Sequence, residues 1–140
     1  MNFTYKFPAV RGIQANTEYY ISMVPMNLLS KLFSENTDNT VLPEYRAQRK
    51  LNESRIPIIA NYILNNRSSY VFSALSASID GKFKFINSKE FDNVGVLEVD
   101  MNATFLINDG QHRKAAIEKA ITEDSSLSNE TISIVFFKDE

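Results

Sequence analysis

Five consecutive residues that could bind a ligand, Asp109-Gly110-Gln111-His112-Arg113, lie between an apolar run and an alanine-rich segment, and His112 is the only histidine in the chain. Histidine can move protons near neutral pH, and arginine donates charge-assisted hydrogen bonds to phosphate oxygens. The carboxylate of Asp109 can cap a helix or hold a divalent cation. The segment is therefore a candidate site for phosphate binding, with Asp109 and His112 as candidate catalytic residues and Asp109 as candidate metal ligand.

The flanking residues predict how this segment is presented. The run 103–107 is typical of a β-strand, and apolar residues at helical spacing predict a helix over about 111–122. The first N–H groups of a helix lack internal partners and attract anions, above all phosphate. Glycine allows a close approach to the backbone. The residues predicted to bind a phosphate or nucleotide are therefore Gly110, Gln111, His112 and Arg113.

The same helical pattern predicts which side chains are buried. The predicted apolar face consists of Ala116, Ile117, Ala120 and Ile121. Lys114, Glu118 and Lys119 are predicted to face solvent. A purely structural interpretation stays open, because Asp-Gly before a helix is also a common turn and its neighbours can simply satisfy backbone carbonyls.

A basic segment precedes a second predicted helix at 55–65. Its positively charged residues include Arg46, Arg49, Lys50 and Arg55. Over 44–67 there are five positive residues and two negative ones, five minus two or +3, although the whole chain has a formal net charge of -2. Such a patch fits phosphate contacts, and a solvated face is the alternative.

Composition narrows the class of protein. The chain has 140 residues, 44% of them hydrophobic and 23% charged, as expected for a globular domain. It has no cysteine, which excludes disulfides, thiolate catalysis and cysteine-ligated zinc. Neither a membrane span nor a signal peptide is apparent, so a cytoplasmic location is expected.

The remaining elements are predicted from periodicity and turn formers. Further strands are expected at 18–24, 70–79, 83–87, 94–100 and 131–137, and a helix is expected after Pro25. Gly12 is predicted to lie in a turn, and Asp80-Gly81 is predicted to close a β-hairpin between 70–79 and 83–87. A strand running to the last residues predicts that the sequence is part of a longer protein.

The string Asp109 to Arg113 spells the motif after which the DGQHR-domain proteins are named. Its surroundings over about 43–137 resemble the ParB/sulfiredoxin-like fold, an α/β (α+β) fold with a small mixed sheet and flanking helices. The resemblance implies a single domain over 1–140, with an N-terminal strand and helix region at 1–42 and a core at 43–140. Relatives bind CTP or ATP at this turn, so a nucleoside triphosphate with Mg²⁺ is a possible cofactor. Sulfiredoxin chemistry needs a cysteine and is excluded.

Four stretches are similar to the N-terminal part of the DndB family: "FPAVRGIQANTEYYISMVPMNLL", "RAQRKLNESRIPIIANYIL", "YVFSALSASIDG" and "INDGQHRKAAI". The resemblance implies a bacterial DNA-binding repressor of the genes for DNA phosphorothioate modification, with double-stranded DNA as partner. It also implies a set of DNA-binding residues: Arg46, Gln48, Arg49, Lys50 and Arg55. Two alternatives stay open: an NTP-hydrolysing or DNA-nicking enzyme of the same system, and a docking module for the modification proteins. A homo-oligomer is also possible.

Overall fold

The computed structural model describes residues 3–33 and 52–139, which form a mixed α/β fold of seven strands and three α-helices. The strands are β1 (Thr4–Gln14), β2 (Thr17–Pro25), β3 (Leu75–Asp80), β4 (Phe83–Asn87), β5 (Val94–Asp100), β6 (Thr104–Asp109) and β7 (Thr131–Lys138). The helices are α1 (Leu29–Leu32), α2 (Arg55–Asn65) and α3 (Gln111–Glu123), with short 3-10 helices at Met26–Leu28 and Ser125–Asn129. The predicted α/β class is confirmed.

The β1–β2 hairpin turns at Ala15 and Asn16. Both residues are left-handed, with φ of 50° and 61°, as a two-residue loop needs when its twist matches that of the strands. Gly12 instead lies inside β1, where it pairs with Tyr19. The predicted turn at Gly12 is therefore wrong, because the loop conformation is adopted three residues later.

The strands form one sheet in the order β4-β5-β1-β2-β7-β3-β6. Neighbouring strands are antiparallel except β3 and β7, which are parallel. The sheet is therefore mixed, as predicted. β1 and β2, from the first part of the chain, lie near its centre, between strands from the second part.

The connection between β3 and β4 shows that the sheet is rolled. These strands are five places apart in the sheet, which in a flat sheet is about 24 Å at the usual strand spacing. Only Gly81 and Lys82 join them, and three residue steps span at most about 11 Å. The two ends of the sheet must therefore come together at this point.

The predicted Asp80-Gly81 hairpin is consequently wrong. β4 pairs with β5, while β3 pairs with β6 and β7. The local turn signal still has a structural cause, because Gly81 has φ of 142° and a Cβ there would lie 2.6 Å from the Cβ of Ala103. The tight turn directs the chain across the roll instead of back along β3.

The core lies on the inner side of the rolled sheet. Phe7, Phe105 and Phe136 come from three different strands, and their ring centroids are 5.4–6.3 Å apart. Helix α2 contributes Ala60 and Ile63 to this core. Helix α3 contributes its predicted apolar face, in which Ala116, Ile117 and Ala120 are fully buried. The apolar face predicted for α3 is confirmed.

Lys114 is a correction to the predicted polar face. Its residue is only 8% exposed, and its Nζ lies 3.2 Å from Oε1 of Glu118, one turn further along α3. Glu118 also accepts a hydrogen bond of 2.5 Å from Ser30 Oγ. A buried ammonium group needs such a partner, because an uncompensated charge in the interior is costly. Lys114 therefore belongs to the packing between α3 and the α1 region.

The helices in the described part of the chain are short. The longest, α3, has 13 residues, whereas a membrane span needs about 20. Within 3–33 and 52–139, no helix has the length and hydropathy required to cross a bilayer.

Candidate functional site

Gly110 forms the junction between β6 and α3. It is the N-cap residue of α3, with φ of 110° and ψ of 18°, and no side chain caps the helix. A Cβ at this position would lie 2.4 Å from Cδ2 of Leu75 in the core. Both the backbone conformation and the space therefore require glycine. The interpretation of Asp109 as a helix cap is wrong, because the chain turns one residue later.

Arg113 ties the start of α3 to the segment before β3. Its Nη1 donates to the carbonyl oxygens of Ser73 at 2.8 Å and Ala74 at 3.1 Å, and also to the Ser73 hydroxyl. Its Nη2 lies 3.5 Å from Oδ2 of Asp109, whose side chain is 80% exposed. The carbonyl partners are neutral and the carboxylate is well solvated. Arg113, whose own side chain is 19% exposed, thus has one carboxylate neighbour among the described residues.

His112 ties α3 to the residues that lead into α2. Its Nε2 accepts a hydrogen bond of 2.9 Å from the backbone N–H of Asn52. The atom that a general base would use is thus occupied by a structural contact. Gln111, half-buried beside it, makes only a long 3.4 Å contact to the carbonyl of Ile107.

An open cleft of about 490 Å³ lies in front of these residues. Its floor is the whole 109–113 segment, and its two walls come from α2 and from the chain before β3. The wall residues are Arg55, Ile58, Ile59, Tyr62, Val71, Phe72 and Ser73. The fold therefore brings Arg55, a predicted DNA-binding residue, to the same cleft as the motif. The other four, Arg46, Gln48, Arg49 and Lys50, lie outside the described residues.

The walls are apolar and exposed, which the sequence analysis missed. Ile58, Tyr62 and Val71 are 69%, 40% and 78% exposed. Tyr62 stacks on Phe72, with ring centroids 6.0 Å apart and planes 23° apart, and its hydroxyl accepts the N–H of Val71 at 2.9 Å. One signal was present in the sequence, because Ile58 and Tyr62 are four residues apart and form a second apolar stripe on α2.

Metal ligands are sparse around the cleft. Asp109 is the only carboxylate among its described lining residues. No group of three or more His, Asp or Glu side chains suited to a metal ion occurs in 3–33 or 52–139. A Mg²⁺ ion here would need most of its ligands from a phosphate chain and water.

A second arginine, Arg67, lies in a different environment from Arg113. It follows α2, and its guanidinium bonds Asp124 and Glu130 at 2.8 Å each and the Ser126 hydroxyl at 3.1 Å. Tyr70 donates to the other oxygen of Glu130. Two carboxylates thus compensate one guanidinium. Arg67, counted in the basic segment on sequence grounds, adds no free positive charge to that surface.

These contacts shift the pKa values of the whole group. The hydrogen bonds to Asp124 and Glu130 raise the pKa of Arg67. Hydrogen bonds from Ser126 and Arg67 lower the pKa of Asp124 to about 2, and those from Tyr70 and Arg67 lower the pKa of Glu130. Burial, with the hydrogen bond to Glu130, raises the pKa of Tyr70 to about 12. Hydrogen bonds and ion pairs thus join the end of α2 to the start of β7, and this cluster is called the clamp. Its members are Arg67, Tyr70, Asp124, Ser126 and Glu130.

Comparison with known proteins identifies a family for this chain. Residues 7–140 match the profile of a family described as DndB, DNA-sulfur modification-associated. Neither the curated proteins nor the solved structures include a significant match. Because the family match covers nearly the whole chain, the chain belongs to the DndB family and is associated with DNA sulfur modification.

Proposed function

We propose that this chain is a DNA-binding transcriptional repressor of a bacterial DNA phosphorothioate modification system, and that the 109–113 segment binds a DNA phosphate. The observation that carries the proposal is the meeting of Arg113, Arg55 and the N-terminus of α3 in one open cleft. Its membership of a DNA-sulfur modification-associated family supports DNA as the ligand.

The electrostatics of the cleft favour an anion. The helix N-terminus carries a partial positive charge and N–H groups without partners inside the helix. Arg113 adds a full charge that neutral carbonyls hold in place without compensating it, and Arg55 adds a second from α2. The exposed Asp109 offsets part of this charge. Arg46, Gln48, Arg49 and Lys50 complete the proposed DNA-contacting set on sequence grounds.

The enzymatic alternative has weaker support. Phosphoryl-transfer sites assemble several metal ligands, whereas Asp109 is the single carboxylate among the described lining residues. A proton-transfer role for His112 would require it to release the N–H of Asn52 first. Binding of a nucleoside triphosphate at the turn is compatible with regulation and needs no hydrolysis.

The test is the salt dependence of DNA binding. Duplex DNA from upstream of the modification genes would be titrated with wild type and with Arg55→Ala, Arg113→Ala and Arg49→Ala at several salt concentrations. Each lost phosphate contact should lower the affinity and reduce the slope of log affinity against log salt by about 0.9. Lys84→Ala on β4, which is 70% exposed and outside the cleft, is the control. Unchanged affinities and slopes for all three arginine variants would contradict this DNA-binding surface.

A further inference from the structure

The cleft combines an anion-attracting floor with an aromatic and aliphatic wall, and we infer that it binds one unpaired nucleotide of a DNA strand. The base would lie against Ile58, Tyr62 and Val71, and its phosphate would lie at the start of α3. This inference rests on the proposed function, since it requires that the chain binds DNA. It adds which part of the DNA enters the cleft.

The wall is fixed before any ligand arrives. Tyr62 is held on one side by the stacked ring of Phe72 and at its hydroxyl by the N–H of Val71. A side chain that is already ordered loses little conformational entropy when a ligand packs on it. The 40% of Tyr62 that stays exposed is therefore available as a preorganised stacking surface.

The exposure of the wall has no explanation within the described fold. Ile58 and Val71 are large apolar side chains, 69% and 78% exposed, and both line the same cleft as Tyr62. Clustered apolar exposure beside polar groups is typical of ligand-binding surfaces. A volume of about 490 Å³ also lies within the usual range of roughly 300–1,000 Å³ for small-ligand sites.

The chemistry of floor and wall together selects the ligand. An anion is favoured at the floor by Arg55, Arg113 and the N-terminus of α3, while the wall favours a flat apolar group. A nucleotide carries both groups at a fixed separation. In a duplex the faces of the bases are covered by their neighbours, so only an unpaired base can stack on a side chain.

The cleft suits a strand better than a free nucleoside triphosphate. Triphosphate sites commonly use a lysine and metal-holding carboxylates, whereas the described lining contains no lysine and only Asp109 as an acid. The high exposure of Ile58 and Val71 also leaves the wall open to the side. A strand that enters the cleft would leave it past these side chains.

The experiment compares a 12-nucleotide single strand with a duplex of the same sequence, for wild type and Tyr62→Ala, at one salt concentration. Loss of base stacking should weaken single-strand binding about tenfold or more and leave duplex affinity within about twofold. Ile58→Ser, a change at a 69% exposed position, should weaken single-strand binding about threefold without disturbing Phe72. Phe91→Ser, which removes an exposed aromatic ring outside the cleft, is the matched control.

The outcomes separate the inference from the proposed function. Binding of both DNA forms with the same affinity ratio in wild type, Tyr62→Ala and Ile58→Ser would overturn the inference and leave the proposed repressor intact. No binding of either form by wild type would overturn both. Binding of ATP or CTP with Mg²⁺ that is lost in Tyr62→Ala, with single-strand affinity unchanged, would show that the wall serves a free nucleotide and would overturn the inference.

Discussion

Arg113 and Arg67 both connect a helix to a distant segment, but the partners of their guanidinium groups differ in charge. Arg67 is bonded to two carboxylates, Asp124 and Glu130, so its charge is more than compensated. Arg113 is bonded mainly to the carbonyl oxygens of Ser73 and Ala74, and its one carboxylate neighbour lies 3.5 Å away at an 80% exposed position. The structural bonds are comparable in number, but Arg67 faces two carboxylates and Arg113 faces one among the described residues.

The comparison shows how a structural arginine can keep the charge that the proposed phosphate site needs. The backbone oxygens that hold Arg113 fix its geometry without cancelling its charge. A fixed guanidinium beside a helix N-terminus is preorganised for phosphate, because little entropy is lost on binding. By the same reasoning, Arg67 contributes to the stability of the fold and not to the proposed DNA surface.

The largest effect is expected from a substitution of Gly110, because its backbone conformation starts the helix that carries Arg113. Gly110→Ala should destabilise the protein by about 2–5 kcal/mol, from the left-handed φ and from a Cβ 2.4 Å from Leu75 Cδ2. Urea denaturation would measure the change. Gly12→Ala is the matched control, because its nearest neighbours would be atoms at the end of the half-exposed Tyr19 ring and its φ is not left-handed. Equal stabilities of the two variants would contradict the role assigned to Gly110.

The next largest effect is expected at the clamp. Arg67→Met should lower Tm by several degrees, since Asp124 and Glu130 lose their counter-ion, while DNA affinity stays unchanged. Arg113→Met should instead weaken DNA binding about threefold to tenfold. Thermal denaturation and DNA titration of both variants would test the division of roles. A loss of DNA affinity in Arg67→Met with normal folding would break the comparison.

The effect of Arg67→Met on Tm should depend on pH. The folded-state pKa values of Asp124 and Glu130 lie below their ordinary values of 3.8 and 4.5, so their stabilising effect is present above those values and is lost as the pH falls toward 2. The Tm difference between wild type and Arg67→Met should therefore be widest above pH 4.5 and narrow on acidification. A difference that grows at low pH would rule out the clamp.

The smallest effect is expected at Asp109, which partly offsets the charge of Arg113. Asp109→Asn should raise DNA affinity about twofold to threefold, the scale of an exposed ion pair. A metal-ligand role predicts the reverse, a loss of affinity that appears only with Mg²⁺. Titrations with Mg²⁺ and with a chelator would decide, with Glu90→Gln as a control for the same change of charge elsewhere.

The sequence predicted those features that depend on local periodicity. The α3 helix and its apolar face were predicted well, because alternation and helical spacing reflect burial directly. The prediction of a hairpin at Asp80-Gly81 failed because a turn signal determines only the local backbone. The partners of β3 and β4 are determined by the arrangement of the whole sheet. The prediction that Lys114 faces solvent failed for a similar reason, because the α1 region, which is distant in sequence, packs beside it.

The candidate site was predictable only in part. The 109–113 segment was found because its residue types and its place between strand and helix are contiguous in sequence. The wall of Tyr62 and Val71 was missed because it exists only when α2 packs beside the chain before β3. The partners of Arg113 were also not predictable, since Ser73 and Ala74 are 40 and 39 residues away.

The pairing of distant strands in the rolled sheet also constrains the order of folding. Only the β1–β2 and β4–β5 pairings are local, whereas β1 pairs with β5 and β3 with β7 across long stretches of chain. Such non-local pairings form slowly, because the entropy of closing long loops must be overcome first. The walls and floor of the cleft come from α2, the chain before β3 and the end of β6. A partly folded chain would therefore have its hairpins before it has the cleft.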